Sequence, residues 1–202
     1  MHATAVLGPI CTALSISFVW PQVVRVYRLD TVEGLAPNGT LQGLAACTLW
    51  AMYGAARGVG PLVVSNTVIG VAMLMIAAKQ IRRGTLGAGK LLAAAATIVA
   101  VGGGALAIST TLAGWIAIVI GVTSILPQTI HVSRFADLSG VSLPMYVLVV
   151  VTSILWSVYA LLINDWLVIL TNALIAPCAL FVAVKAWRAQ YAPVSVAAEI
   201  AP

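Results

Sequence analysis

The stretch from Pro21 to Arg82 recurs without a gap as the stretch from Pro127 to Arg188. A constant offset of 106 residues carries Pro21-Gln22 onto Pro127-Gln128, Arg28 onto Arg134, Gly34 onto Gly140, Trp50 onto Trp156, Tyr53 onto Tyr159, Asn66 onto Asn172 and Lys79 onto Lys185. Fourteen of the 62 aligned positions are identical. Trp, Tyr, Asn, Gln and Pro are among them, and a chain rich in Ala, Val and Leu would not match those types by composition. This is an internal repeat, and the rest of the chain has to be arranged around two copies of one unit.

Composition sets the solvent. Hydrophobic residues make up 62% of the chain and charged residues 7%, where a soluble domain carries about a quarter charged residues. The chain is therefore built for a bilayer. Apolar segments of roughly 20 residues, enough to cross about 30 Å of hydrocarbon as helices, fall at 5–25, 38–57, 60–79, 90–108, 112–131, 143–163 and 165–185. The fold expected is an all-α integral membrane protein of seven transmembrane helices. It consists of a first triple-helix bundle (1–83), a linker helix (84–110), a second triple-helix bundle (111–190) and a cytoplasmic tail (191–202). No positive residue precedes the first apolar run, which itself holds repeat sequence, so a removable signal peptide is not expected. Cys11, Cys47 and Cys178 lie in apolar runs and read as small packing residues.

Charge tests the count independently. With seven spans, Arg25, Arg28, Lys79, Arg82, Arg83, Lys90, Arg134, Lys185 and Arg188 fall on one side and Arg57 alone on the other. Removing the linker span would scatter them six against four. The positive-inside rule then places the N-terminus outside and the C-terminus in the cytoplasm, in the plasma membrane. The net charge of +5 is a topology signal, and no nucleic acid partner is expected. Trp20, Trp115, Trp166 and Trp187 lie near span ends, as an aromatic belt requires. An odd linker restores the direction of the first bundle to the second. The repeats are thus parallel, with a substrate site expected where they meet near the midplane.

The Pro-Gln pairs, Trp50-x2-Tyr53-Gly54, Trp156-x2-Tyr159, the Gly140-Val-Ser-Leu-Pro144-Met stretch and an Asn sixteen residues after each Trp resemble the PQ-loop superfamily. Within it they are most similar to the SWEET and SemiSWEET sugar transporters, over about residues 15 to 188. The resemblance implies facilitated diffusion of a sugar through a pocket between two triple-helix bundles.

The residue types suit that chemistry. A sugar ring offers a C–H face and a girdle of hydroxyls, so its site needs aromatic planes and amide partners. Trp50 and Trp156 supply the planes, Asn66 and Asn172 the amides. Trp50, Tyr53 and Arg57 follow at i, i+3 and i+7, one stripe on a helix, matched by Trp156, Tyr159 and Ile163. The resemblance implies an outer gate of Tyr, Arg and Asp. The first repeat keeps Arg57 but has Val59 where the second has Asp165, and the second has Ile163 in place of the arginine. Arg57 and Asp165 are therefore expected to meet across the repeats, with Tyr53 and Tyr159 beside them.

Pro21 and Pro127 each remove a backbone hydrogen bond near the cytoplasmic end of a span and crowd the carbonyls of Ser17 and Thr123. Gln22, Gln128 or those hydroxyls are expected to compensate, giving hinges for the inner mouth. Pro144 is a further hinge proline, though its counterpart is Asn38 with Pro37 one residue earlier. His131, aligned with Arg25, is an interfacial residue or a proton site.

No Asp or Glu falls inside a span, where ion-driven carriers place one, so transport is expected to be downhill and uncoupled. No metal-ligand spacing, phosphate loop or nucleophile–base set occurs. Neither an enzyme nor a cofactor or metal is expected. The partners expected are a small sugar, mono- or disaccharide, the lipid bilayer and a homo-oligomer of this chain. The alternatives are a proton-coupled PQ-loop exporter of amino acids and a non-transporting PQ-loop membrane receptor.

Overall fold

The computed structural model describes residues 2–33, 35–134, 138 and 141–191, without the side chains of His2, Pro127, Gln128 and His131. Those three latter side chains, and Gly34, Asp137 and Gly140, thus lie outside the described residues.

Helices account for nearly all of the described chain: α1 (His2–Ser17), α2 (Trp20–Arg28), α3 (Pro37–Arg57), α4 (Gly60–Arg82), α5 (Ala88–Ile108), α6 (Thr110–Thr123), α7 (Leu126–Arg134), α8 (Leu143–Leu162) and α9 (Trp166–Tyr191). Among the described residues, five stretches are long and apolar enough to cross a bilayer: Ala3–Arg28, Gly60–Arg82, Ala88–Ile108, Leu143–Leu162 and Trp166–Tyr191. The other two expected spans differ for local reasons. α6 is apolar but short, because its rod continues through a break into α7. α3 has 21 residues, enough to span at 1.5 Å each, but spends its apolarity on Asn38, Thr40, Gln42 and Thr48. The first and fifth rods were expected as bent helices and are instead interrupted, at residues 18–19 and 124–125.

Turn chemistry repeats along with the rods. α3 ends at Gly58 (φ 69°) and α8 is followed by Asn164 (φ 54°), which occupy equivalent positions. The left-handed backbone there suits Gly and, next best, Asn. In both turns the next N–H reaches back five residues, Val59 to the Gly54 carbonyl at 2.8 Å and Asp165 to that of Ala160 at 2.9 Å, which satisfies a carbonyl the helix end would orphan. Pro37, Pro61 and Pro144 stand in the first turn of α3, α4 and α8, where a missing N–H costs nothing.

In each unit the third rod lies between the other two: α4 packs on α1 and α3, and α9 on α6 and α8. The units join through α1 on α8 and α3 on α6, and α5 rests against α3 and α6. Tyr53, near the end of α3, abuts Gly114 near the start of α6, and Tyr159, near the end of α8, abuts Gly8 of α1. The two units therefore run in the same direction. One end of the molecule carries Arg57 and Asp165 (the Asp165 end), the other the arginine- and lysine-rich helix ends (the basic end).

The distribution of polarity is the reverse of a soluble protein's. Leu92, Val99, Ile154, Leu161 and Leu180 are more than half exposed, while Ser15, Ser65, Thr152, Ser153, Thr171 and Asp165 are buried. An apolar exterior of this extent is covered by lipid, and the protein is an all-α membrane protein.

A close approach holds α5 to α3. A Cβ at Gly102 would stand 2.9 Å from the Met52 sulfur and 3.0 Å from Leu49 Cδ2. Met52 is flexible and gives way to one methyl group; a larger side chain has to push the helices apart. Gly102→Ala is expected to leave stability nearly unchanged, and Gly102→Leu to cost about 1–3 kcal/mol. Unfolding of the purified protein in detergent by increasing SDS measures both.

Candidate functional site

A cavity of about 200 Å³ lies where the two units meet. Five pairs related by the 106-residue offset line it: Trp50 and Trp156, Leu62 and Val168, Ser65 and Thr171, Asn66 and Asn172, Ile69 and Ile175. All four side chains expected around a pocket, the two indoles and two carboxamides, are thereby brought to one space. The helical spacing explains it: residues 62, 65, 66 and 69 form one stripe of α4, the helix at the centre of its unit, and 168, 171, 172 and 175 form the same stripe of α9.

Each asparagine is oriented by its own helix. Asn66 Nδ2 donates to the Leu62 carbonyl at 2.9 Å, and Asn172 Nδ2 to that of Val168 at 2.8 Å. Neither Oδ1 accepts a hydrogen bond among the described residues, so each amide keeps an acceptor for a ligand. The indoles are held alike, Trp50 edge-on to Tyr53 (centroids 5.5 Å apart, 87°) and Trp156 edge-on to Tyr159 (5.6 Å, 88°). Their N–H groups differ. Trp156 Nε1 donates to the Ser15 hydroxyl at 2.8 Å. At the equivalent place beside Trp50 stands Gly121, whose added Cβ would lie 3.4 Å from Nε1, and Trp50 donates no hydrogen bond among the described residues.

The rest of the wall was not singled out from the sequence: Ser15, Phe18, Val149, Thr152 and Ser153. Thr152 Oγ1 is buried without a hydrogen-bond partner, a cost that a bound hydroxyl would remove. Its position one turn before Trp156 was a usable signal, as was the Ser65–Thr171 pairing beside the asparagines. Ser15 and Ser153 carried none, since their counterparts are Gly121 and Cys47.

Beyond Trp50, towards the Asp165 end, stands a cluster of polar side chains. Asp165 is 1% exposed. Tyr53 Oη donates to both of its oxygens at 2.8 and 2.9 Å, the Val168 N–H donates to Oδ1 at 3.3 Å, and Arg57 Nε lies 3.5 Å from Oδ2. Arg57, with 41% of its side chain exposed, contributes from the solvent side, where screening makes a pair weak. The buried phenol is the stronger partner, since hydrogen bonds to charged groups are worth about 1.5–3 kcal/mol each. Tyr159 does not join this cluster. It packs against Gly8, because its repeat partner position holds Val59 in place of an acid.

The breaks at the basic end also depart from expectation. The Ser17 hydroxyl donates to the Leu14 carbonyl at 2.7 Å, and Thr123 to the carbonyls of Val119 and Ile120 at 2.6 and 3.1 Å. Gln22 makes no side-chain hydrogen bond among the described residues. The hydroxyls therefore bond carbonyls one turn back, and not the Ser17 and Thr123 carbonyls that the prolines free. Pro21 stands in the first turn of α2, and Pro144 in that of α8. The Pro127 and Gln128 side chains lie outside the described residues.

No protein-family model matches the chain, and no curated protein matches it in sequence. Its fold is shared with a eukaryotic SWEET transporter solved at 3.7 Å. That structure covers 93% of this chain and 98% of its own, with a TM-score of 0.77 and 14% sequence identity. At that identity the likeness establishes a shared all-α fold.

Tyr53 and Asp165 are expected to be coupled. In a double-mutant cycle of Tyr53→Phe with Asp165→Asn, unfolding in detergent should give a coupling energy of about 1–3 kcal/mol. The cycle of Tyr159→Phe with Asp165→Asn should give none. Equal couplings would contradict the geometry.

Proposed function

We propose that the protein is a membrane transporter for facilitated, uncoupled diffusion of a sugar, a uniporter of the PQ-loop type working by alternating access. The observation that carries this reading is the cavity itself. Two indole planes and two carboxamides with free acceptors face one another across a neutral space between parallel repeats. An aromatic face suits the C–H side of a pyranose, and the amide oxygens with the Thr152 hydroxyl suit its OH groups. The volume of about 200 Å³ lies below the roughly 300–1,000 Å³ of drug-sized sites, which favours a monosaccharide over a disaccharide.

In this reading Trp50, Asn66, Trp156 and Asn172 hold the substrate. Tyr53, Arg57 and Asp165 form the outer gate, with Tyr159 packing beside it. The breaks preceding Pro21-Gln22 and Pro127-Gln128, together with the Pro144 turn, allow the inner end to open. The basic end faces the cytoplasm, as nine of the ten Lys and Arg residues require, and the plasma membrane is the natural location. The likeness in fold to a eukaryotic SWEET transporter supports the same assignment.

Against proton coupling stands the position of Asp165, the one buried acid among the described residues. It sits at the end of the pathway with Tyr53 and Arg57 on it, away from the cavity wall, so a proton there and a ligand below would not compete for one site.

Labelled-glucose counterflow in proteoliposomes tests the proposal. The wild type is expected to accumulate label, and Asn66→Ala and Asn172→Ala to slow it about tenfold each, the worth of a lost hydrogen bond of roughly 1.4 kcal/mol. An imposed pH gradient should leave the flux unchanged. Absence of counterflow in the wild type with glucose and other hexoses would overturn the sugar assignment.

A further inference from the structure

Gln42 stands at a position where the duplication has not been kept, since its counterpart is Leu148. From the second turn of α3 its Nε2 donates to the Thr123 hydroxyl at 3.1 Å and to the Ile120 carbonyl at 3.3 Å. Both acceptors belong to the other repeat and lie directly before the break between α6 and α7.

The Ile120 carbonyl lacks its helical donor. In an unbroken helix the Ser124 N–H would bond to it; here that N–H turns to the Gly121 carbonyl at 3.2 Å, and the Ile125 N–H to that of Val122 at 3.2 Å. The Thr123 hydroxyl folds back on Ile120 at 3.1 Å. Gln42 thus joins a set of hydrogen bonds around the break, in which the Thr123 hydroxyl lies between its donor Gln42 and the carbonyls of Val119, at 2.6 Å, and Ile120. The first repeat makes the same backbone step, Val19 N–H to the Ile16 carbonyl at 3.2 Å, and has the same folded-back hydroxyl, Ser17 on Leu14. It lacks only the donor from the opposite unit, because leucine at 148 has none to give.

We propose that Gln42 braces the α6–α7 hinge against α3, so that the basic end opens by bending at the α1–α2 break while the α6–α7 break stays fixed until the Gln42 bonds part. The inference rests on the alternating-access reading above and adds to it that the two hinges of a duplicated carrier are unequal. Gln42 is a positioning residue, since it does not line the cavity.

The test reads the hinges separately. In protein whose three cysteines are replaced by serine, spin labels at Arg28→Cys and at Arg134→Cys are each measured against a common label at Gly87→Cys, in a bilayer without sugar. Gly87 is exposed and has nothing within 4 Å of an added Cβ. In the wild type the Arg134 distance should be the narrower distribution. Gln42→Leu should raise the displaced population at Arg134 about threefold, the worth of one interhelical hydrogen bond, and leave the Arg28 distribution as it was. Leu148→Gln should narrow the Arg28 distribution instead. Gln42→Glu keeps the length and loses the donor, so it should match Gln42→Leu and carries the test should the leucine variant not fold. An Arg134 distribution unmoved by either substitution would overturn the brace. Because no sugar is needed, the brace can fail with counterflow intact, and the sugar assignment can fail with the brace standing.

Discussion

A carboxylate withdrawn from water has to be held by donors, and the way Asp165 is held fixes much else in the molecule. Its donors come from both repeats: the phenol and guanidinium of α3 in the first, and the N–H of Val168 in the first turn of α9 in the second. Tyr53 is consequently pinned, and Gly114 of α6 leaves just enough room for its ring, since an added Cβ would come within 3.0 Å. The pinned ring in turn sets the edge-on geometry of Trp50, one turn nearer the cavity. Charge at the end of the molecule is thereby linked through one ring to an indole in its middle. Trp156 and Tyr159 reproduce the ring geometry without a charged partner, the indole N–H resting on the Ser15 hydroxyl, so the charge is not what creates the arrangement. Its contribution is to make one of the two copies costly to undo.

Two halves in one chain never meet a second copy of themselves across the site, so a contact between them need be made once. That explains where symmetry is kept and where it is lost. Backbone-determined features are kept: the central stripes of α4 and α9, the left-handed turns at Gly58 and Asn164, and the helix starts at Pro37 and Leu143. Polar contacts across the repeats are single. The acid is at 165 and not 59, the indole acceptor is Ser15 and not Gly121, the unpaired hydroxyl is Thr152 and not Ala46, and the brace is Gln42 and not Leu148. A ligand in the cavity consequently meets two chemically different walls, and one orientation of it should be preferred.

The rods were legible because their signals are local: length, apolarity and the register of the repeat. The four cavity side chains were legible for a related reason, since a polar or indole group kept in both copies has to serve the surface the copies share. The meeting of Arg57 with Asp165 followed from noticing that each repeat lacked what the other had. What escaped was set by the tertiary partner. Tyr53 and Tyr159 read identically in sequence, and only the residue opposite, Asp165 or Val59, makes one a donor and the other a packing ring. The breaks read as bends because proline predicts a lost bond but not whether the chain recovers its helix at once or steps through a turn. Ser15 and Thr152 escaped because no duplicate marks them.

The balance between the two ends bears on the proposed cycle. A ligand shifts a conformational equilibrium only by the difference in its affinity for the two states, and a neutral site in a small cavity offers little of that difference. Both states of such a carrier then have to lie within a few kcal/mol of each other without help from the substrate. In that proposed cycle, closure at the Asp165 end would rest on charge-assisted bonds of about 1.5–3 kcal/mol each, weakened where Arg57 meets solvent. At the basic end, interhelical bonds such as those of Gln42 are worth about 0.6 kcal/mol on average. Those terms alone would leave the Asp165 end of the proposed carrier shut most of the time, so the proposed cycle requires a further contribution from packing at the basic end.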